Sequence, residues 1–216
     1  MLRPATDEDR ERVRVWRNHP DVRAVSLTQH EIGPAEHAAW WTRVQADPTR
    51  AVLIYERGGI PAGVVSLWDL DWAAGSVWWG YYLDNAGLTA RGELLPAWIQ
   101  IQRDAVKYID ALRDQGRAIT VMEAEVLDAN EGVRSFNRRQ GFLDVETYER
   151  DIDGTPTLVH HVRRTRPVTT PAPTTPGPTA PDPTTPRSTA PGLTGQPGPG
   201  PAPAARTAPT APCQEK

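Results

Sequence analysis

The sequence predicts an α/β (α+β) fold in which one mixed sheet is covered by helices. Three observations predict it. Apolar residues recur at helical spacing in two early segments and one long later one. Strand-like runs come as a group of three, then one alone, then a pair about a turn. The two kinds of element alternate along the chain, which favours helices packed on a sheet. No internal repeat at solenoid periods is present.

Each element has its own signal. Thr6-Asp7-Glu8-Asp9 places a capping hydroxyl and early acids ahead of Val13 and Trp16, a helix start. Gly33-Pro34 opens a second short helix, EHAAWWTRV, which Asp47-Pro48 ends. AVLIYE is a short apolar strand, Arg57-Gly58-Gly59 a tight turn, IPAGVVSLWDL a second strand and SVWWGYYLD a third. A Gly/Ala/Thr-containing loop then leads directly into a long helix with Leu94, Leu95, Trp98, Ile101, Ala105, Ile109 and Leu112 on one buried stripe. Gly116 is read as the end of that helix. AITVMEAEVL is strand-like, Ala129-Asn130 starts a short helix holding Val133, Phe136 and Asn137, and Asp153-Gly154 marks a hairpin turn between FLDVETYERDI and TPTLVHHV.

Composition divides the 216 residues in two. Residues 1–165 form a domain long enough for a real core. Residues 166–216 are almost entirely Pro, Thr, Ala and Gly, too poor in large apolar side chains to offset ordering entropy, so a disordered tail of polyproline II character is expected. A Pro-rich ligand or a glycosylated stalk is the other reading of that tail. The net charge of −3 gives no general reason to expect nucleic acid or an anionic membrane. The single cysteine, Cys213, excludes a disulfide framework. MLRPATDEDRERVRVW has no apolar leader, and no apolar run approaches the ~20 residues of a membrane span, so a cytoplasmic protein is expected. Oligomeric state is left open.

The passage from Trp78 to Trp98 runs from strand through GLTARGELL into the long helix. Unpaired N–H groups at the helix start, the helix dipole and Arg91 suit a phosphate or pyrophosphate; an ordinary glycine-containing loop is the alternative. Gly87 and Gly92 have Walker A spacing, but Glu93 stands in the lysine's place, which excludes that class of nucleotide triphosphatase. In MEAEV, Glu123 and Glu125 share one strand face, either as a general base beside a cleft or as a solvated edge. His37 and Trp40 lie side by side on the second helix, flanking a substrate ring or simply packing. Trp78-Trp79-Gly80-Tyr81-Tyr82, in a chain with 8 tryptophans, hints at an aromatic-walled cleft. His30, His37, His160 and His161 show no metal-ligand spacing, so no metal is expected.

Three pieces, WGYYLD with TARGELL and the long helix, AEVLDAN, and NEGVRSFNRRQGF, resemble the GCN5-related N-acetyltransferases (GNAT) over residues 1 to about 162. LRPATDEDRERVRVWRNHPDVR and the HAAW of His37 to Trp40 look like the subgroup acting on nucleotide-linked amino sugars of the pseudaminic acid type; ribosomal-protein N-terminal acetyltransferases share similar openings. The resemblance implies a splayed central sheet with acetyl-CoA as co-substrate between the strands of Tyr82-Leu83 and Glu125-Val126. It implies a pyrophosphate on the N–H groups of Ala90, Arg91, Gly92 and Glu93, pantetheine contacts near Leu83, and a place for Asn130 beside the cofactor. Glu125 takes the position of a base in some members, while Arg17, Asn18, His37 and Trp40 face the acceptor, a small amine.

Two departures from the family pattern stand out. Ala90 replaces a glycine of the pyrophosphate loop. Asn137 replaces a tyrosine that protonates the leaving thiolate; an amide orients a thiol or water but is not a useful acid. A thiol pKa of ~8.5 lets the thiolate leave without one, and Tyr82, Tyr148 or water are candidates to substitute. The expectation is an N-acetyltransferase acting on a primary amine, most specifically of a nucleotide-linked amino sugar. Transfer to a protein N-terminus or another small amine, and a degenerate acyl-CoA sensor without turnover, are the alternatives.

Overall fold

The computed structural model describes residues 1–166. The Pro/Thr-rich tail from Pro167 onward, with its expected disorder and Cys213, lies outside the described residues.

The elements run β1 (Leu2–Pro4), a 3-10 turn (Asp7–Asp9), α1 (Arg10–Arg17), α2 (Pro20–Arg23), α3 (Pro34–Ala46), β2 (Ala51–Arg57), β3 (Ile60–Asp71), β4 (Ser76–Leu83) and α4 (Asn85–Ala90). Then come α5 (Leu94–Ala111), β5 (Arg113–Asp114), β6 (Arg117–Ala118), β7 (Val121–Leu127), α6 (Glu131–Arg139), β8 (Leu143–Ile152) and β9 (Thr155–Thr165). The main sheet has seven strands in the order β1-β2-β3-β4-β7-β9-β8. Its one parallel join, β4 with β7, is the crossover that carries α5. The mixed α/β fold read from the sequence is present.

That join is short. Only Ser76↔Val121, Val77↔Met122 and Trp78↔Glu123 pair, after which the two strands part. On its other side β4 stays paired with β3 as far as Gly63↔Leu83, and β7 stays paired with β9 as far as Leu127↔Val159. The sheet therefore consists of two continuous halves joined at one end and open at the other.

Strand alternation gives each face its own cover. On the back, Val77, Trp79, Leu83, Met122 and Ala124 join α5 through Ala97, Ile101, Ala105 and Ile109 in one buried core. Each fully buried aliphatic chain there contributes roughly 1.5–3 kcal/mol. On the front, Val52, Ile54 and Val64 pack against Val13 of α1 and Trp41 and Val44 of α3. The β3–β4 contact is unusually close. A Cβ on Gly63 would stand 2.7 Å from the Tyr82 carbonyl oxygen and 2.9 Å from Leu83 Cδ2, so only glycine lets β4 and α5 settle there.

Three local readings need correction. α5 ends at Ala111 rather than at Gly116: Leu112 is already extended, and the Arg113 guanidinium satisfies the Asp110 carbonyl at 2.8 Å. Gly116, at φ +80, instead turns the small β5–β6 hairpin. The loop after β4 is a helix, α4. β1 and α2 gave no periodic signal because three and four residues are too few to show one. The hairpin turn is where expected, with Asp153 at φ +49 and Gly154 at φ +84. Among the described residues no helix is long and apolar enough to cross a membrane, and no group of three or more His, Cys, Asp or Glu is arranged to hold a metal.

Candidate active site

The gap between β4 and β7 is the first element of the site. From Trp79 to Leu83 on one side and Ala124 to Leu127 on the other, each strand turns one main-chain edge to the gap with no strand partner. Buried main-chain amides need partners, so this slot suits an extended ligand with amide groups of its own. The pantetheine arm of acetyl-CoA is such a ligand, and Leu83 is the last residue of the β4 edge.

The helix start above the gap is built differently from the expectation. Asp84 accepts the Gly87 N–H at 2.9 Å and caps α4. A Cβ at Gly87 would fall 2.0 Å from the Asp84 carboxylate, which is why glycine stands there. Closure of α4 then consumes the donors expected to face a pyrophosphate. The Arg91 and Glu93 N–H groups donate to the Leu88 carbonyl at 3.2 and 2.8 Å, and Gly92 donates to Thr89 at 3.0 Å. Ala90 is the last residue of α4. The first open N–H groups of α5 are those of Leu94 and Leu95, since Pro96 has none. The nearby cations are engaged as well: Glu93 holds Arg57 at 3.1 Å and Arg91 at 3.2 Å. The slot thus fits the arm of the donor, while the anion cradle is narrower than the sequence implied and carries a competing carboxylate. Glu93→Gln is expected to tighten acetyl-CoA about two- to fivefold, the scale of one charge at a helix N-terminus, and calorimetric titration reads it directly.

Behind the gap, α5 and α6 are bridged by buried polar groups. Gln102 is fully buried and Asn137 is 2% exposed; the Gln102 amide donates to Asn137 Oδ1 at 2.5 Å. The Tyr81 hydroxyl donates to Gln102 Oε1 at 3.3 Å, and burial raises the pKa of this phenol far above its usual value. Trp98 and Phe136 pack beside the bridge with ring centroids 4.9 Å apart. Asn137 is therefore held in the interior of the back layer by a partner on α5. Asn130 caps α6 by accepting the Val133 N–H at 3.4 Å.

On the front, Glu125 has both oxygens engaged. Tyr148 donates its hydroxyl to one, and Arg150 lies 2.9 Å from the other. Burial, then the neighbouring carboxylate, raises the Tyr148 pKa well above the usual phenol range. Of the residues expected at the acceptor, two are partly committed elsewhere. Arg17 donates Nη2 to the Thr28 carbonyl at 2.9 Å, leaving Nη1 buried and unpartnered. Asn18 bridges both main-chain groups of Ile32 at 2.8 Å and so pins the segment between α2 and α3. Trp40 and His37 do lie together, with ring centroids 5.1 Å apart. Burial, helped by Arg14, lowers the His37 pKa to about 4. Tyr82 points its hydroxyl at the Val13 carbonyl at 3.4 Å, on the same face as Trp40.

Sequence reasoning missed the partners of these groups: Gln102 beneath Asn137, Arg150 on Glu125, and His161 on Glu123. Only the shared face of Glu123 and Glu125 was visible beforehand.

A mixed sheet split between two parallel strands, with open main-chain edges and a helix start above them, defines an acyltransferase that takes an extended acyl donor. The acetyltransferase (GNAT) domain family matches residues 1–143 of this chain, and the chain belongs to that family. It is an acetyl-CoA-dependent N-acetyltransferase of GNAT type.

Solved structures share the fold. A ribosomal-protein-alanine N-acetyltransferase from Brucella melitensis is 17% identical, with 77% of this chain and 99% of that one covered and a TM-score of 0.55. Spermidine N-acetyltransferase from Vibrio cholerae, in complex with CoA and spermine, is 13% identical over 76% and 94% of the two chains, at a TM-score of 0.61. An N-acetyltransferase from Staphylococcus aureus Mu50 is 14% identical over 76% and 97%, at 0.53. At such identities the likeness is one of fold, and it does not single out the amino-sugar subgroup. No curated protein matches the chain significantly.

Proposed function

We propose that the acceptor is a small primary amine bound on the front face, and specifically an amino sugar carried on a nucleotide. The observation that carries this reading is the aromatic wall beside the gap. Trp68 and Trp78 stack with centroids 6.5 Å apart and planes 20° apart, a surface suited to a sugar or base ring. The buried, unpartnered Nη1 of Arg17 supplies a donor for phosphate. A polyamine or a protein N-terminus is the second reading, favoured by the two front-face carboxylates, Glu123 and Glu125.

In this reading the amine attacks the thioester directly. Main-chain N–H groups near Leu83 hold the carbonyl oxygen, where a donor stabilises the negative charge that develops. Glu125, fixed by Tyr148 and Arg150, lies on the face where the amine enters, and Asn137 shapes the back of the slot. Tyr82 is the front-face hydroxyl proposed to pass a proton to the thiolate. The setting proposed is the cytoplasm, where an acetyl-CoA donor is at hand, and no metal takes part.

The test is calorimetric titration of the full chain with acetyl-CoA, then thiol release with nucleotide-linked amino sugars, the same sugars without the nucleotide, and spermidine. Release that drops at least tenfold when the nucleotide is removed supports the first reading. Release with spermidine alone supports the second. Binding with no release to any amine favours the sensor.

A further inference from the structure

Glu123 and Trp78 are the last paired residues before β4 and β7 separate, so they mark the narrow end of the slot. His161 of β9 sits over them on the front face. Its Nε2 lies 2.7 Å from Glu123 Oε2, and Arg163 Nε lies 2.7 Å from the other Glu123 oxygen. The imidazole stacks on Trp78, with centroids 4.8 Å apart and planes 23° apart, and so extends the Trp68–Trp78 wall. The hydrogen bond to Glu123 and the stack on Trp78 thus fix the ring plane and its orientation, and Arg163 holds Glu123 in place.

The Glu123 carboxylate accepts from Arg163 on one oxygen and faces the imidazole with the other, so the ring proton belongs on Nε2. Nδ1 then carries the lone pair. It has no partner among the described residues and is not one of the buried unpartnered atoms, so it meets solvent; the side chain is 14% exposed. Glu125, the base suggested by position in the sequence, offers no such free site, because Tyr148 and Arg150 occupy both of its oxygens.

We propose that His161 is the general base of the reaction, oriented by Glu123 and by the face of Trp78. This rests on the reading of the front face as the acceptor site. Nδ1 takes one proton from the ammonium form of the acceptor. The freed nitrogen pair forms the C–N bond to the acetyl carbon, and the C–S bond breaks with its pair on sulfur. The second N–H proton leaves through water and the Tyr82 hydroxyl to the thiolate, so acetamide and free thiol form with one net proton released. The charged and titratable groups around the ring are Glu123 and Glu125 of β7, Glu146, Tyr148 and Arg150 of β8, and Arg163 of β9. An acidic limb in the rate therefore reports on the cluster, and variants at His161 assign it.

The experiment measures thiol release by the full chain from pH 5.5 to 9, with a nucleotide-linked amino sugar and with spermidine as probes. His161→Gln is expected to lower kcat about 10²- to 10³-fold, the usual contribution of a general base. It should leave the KM for acetyl-CoA within twofold and flatten the acidic limb of kcat/KM. His161→Ala should be partly rescued by added imidazole, which a merely structural side chain would not allow. A His161→Gln enzyme within threefold of wild type, or one that keeps the limb, overturns the proposal. Wild type that is silent with both probes overturns the acceptor reading instead. Long-range ¹H–¹⁵N spectra of the imidazole then decide the base independently: a proton on Nε2 and none on Nδ1 at pH 8 supports it, and the opposite tautomer refutes it.

Discussion

Asn137→Tyr, which restores the phenol common in the family, is expected to lower stability by about 3 kcal/mol and to slow turnover rather than speed it. The reason lies behind the gap. Asn137 is 2% exposed and its amide meets fully buried Gln102 at 2.5 Å. A phenol ring has no room to enter unless Gln102 or the α5 backbone gives way, and overpacking of a tight core costs ~1–3 kcal/mol or more. The change also leaves the Gln102 amide without its acceptor, at roughly 1–3 kcal/mol for a buried unsatisfied group. The pair Gln102→Ala with Asn137→Tyr removes most of a side chain beside the new ring. It is expected to recover part of the lost stability, less what the Tyr81 hydroxyl loses with its Gln102 acceptor, and to exceed the single variant in thiol release. Urea denaturation and the release assay read both quantities. A single Asn137→Tyr variant with full stability and faster turnover would show that the slot stands ready for an acid and merely lacks one.

Acid should weaken the fold before the ordinary carboxylates titrate. His37 is 4% exposed, packed with its ring tilted against Trp40 and Trp41, and its Nε2 is buried without a partner. Burial is the main cause that lowers its pKa to about 4, and Arg14 adds to it; Glu11 and Glu36 act the other way. The unfolded chain takes up this proton near pH 6.5 and the folded chain only near 4. Across that window the unfolded state binds more protons, so stability falls as pH falls and is complete above about 6.5. The loss is on the order of 3 kcal/mol at one pKa unit per 1.36 kcal/mol. His37→Phe keeps a ring against the two tryptophans but cannot ionise, and it should flatten the decline between pH 6.5 and 4. An unchanged decline in that variant would move the acid sensitivity to other groups.

Two segments show how far local pattern reaches. The long helix was legible because its stripe from Leu94 to Ile109 repeats often enough to fix a face; its members line the back core except Leu95, which faces outward and is 67% exposed. The first part of GLTARGELL was read as a loop rather than the helix α4 because its outcome turns on one contact, Asp84 with the Gly87 N–H, which closes a helical turn. The front of the site divides in the same way. That Glu123 and Glu125 share a face follows from strand alternation alone. Which of them is clamped by Arg150, and which holds an imidazole, depends on residues of β8 and β9 more than twenty positions away.

By itself the sequence determined the longer elements, the mixed α/β class, the family resemblance and the two exchanged residues, Ala90 and Asn137. These follow from periodicity, capping and motif, which act over a few residues. Only the tertiary structure decided that Asn137 belongs to a buried bridge with Gln102, and that His161 of β9 reaches Glu123 and the face of Trp78. Those outcomes depend on which strand lies beside which and where the sheet divides, and the free energy that selects them is shared among contacts distant in the chain.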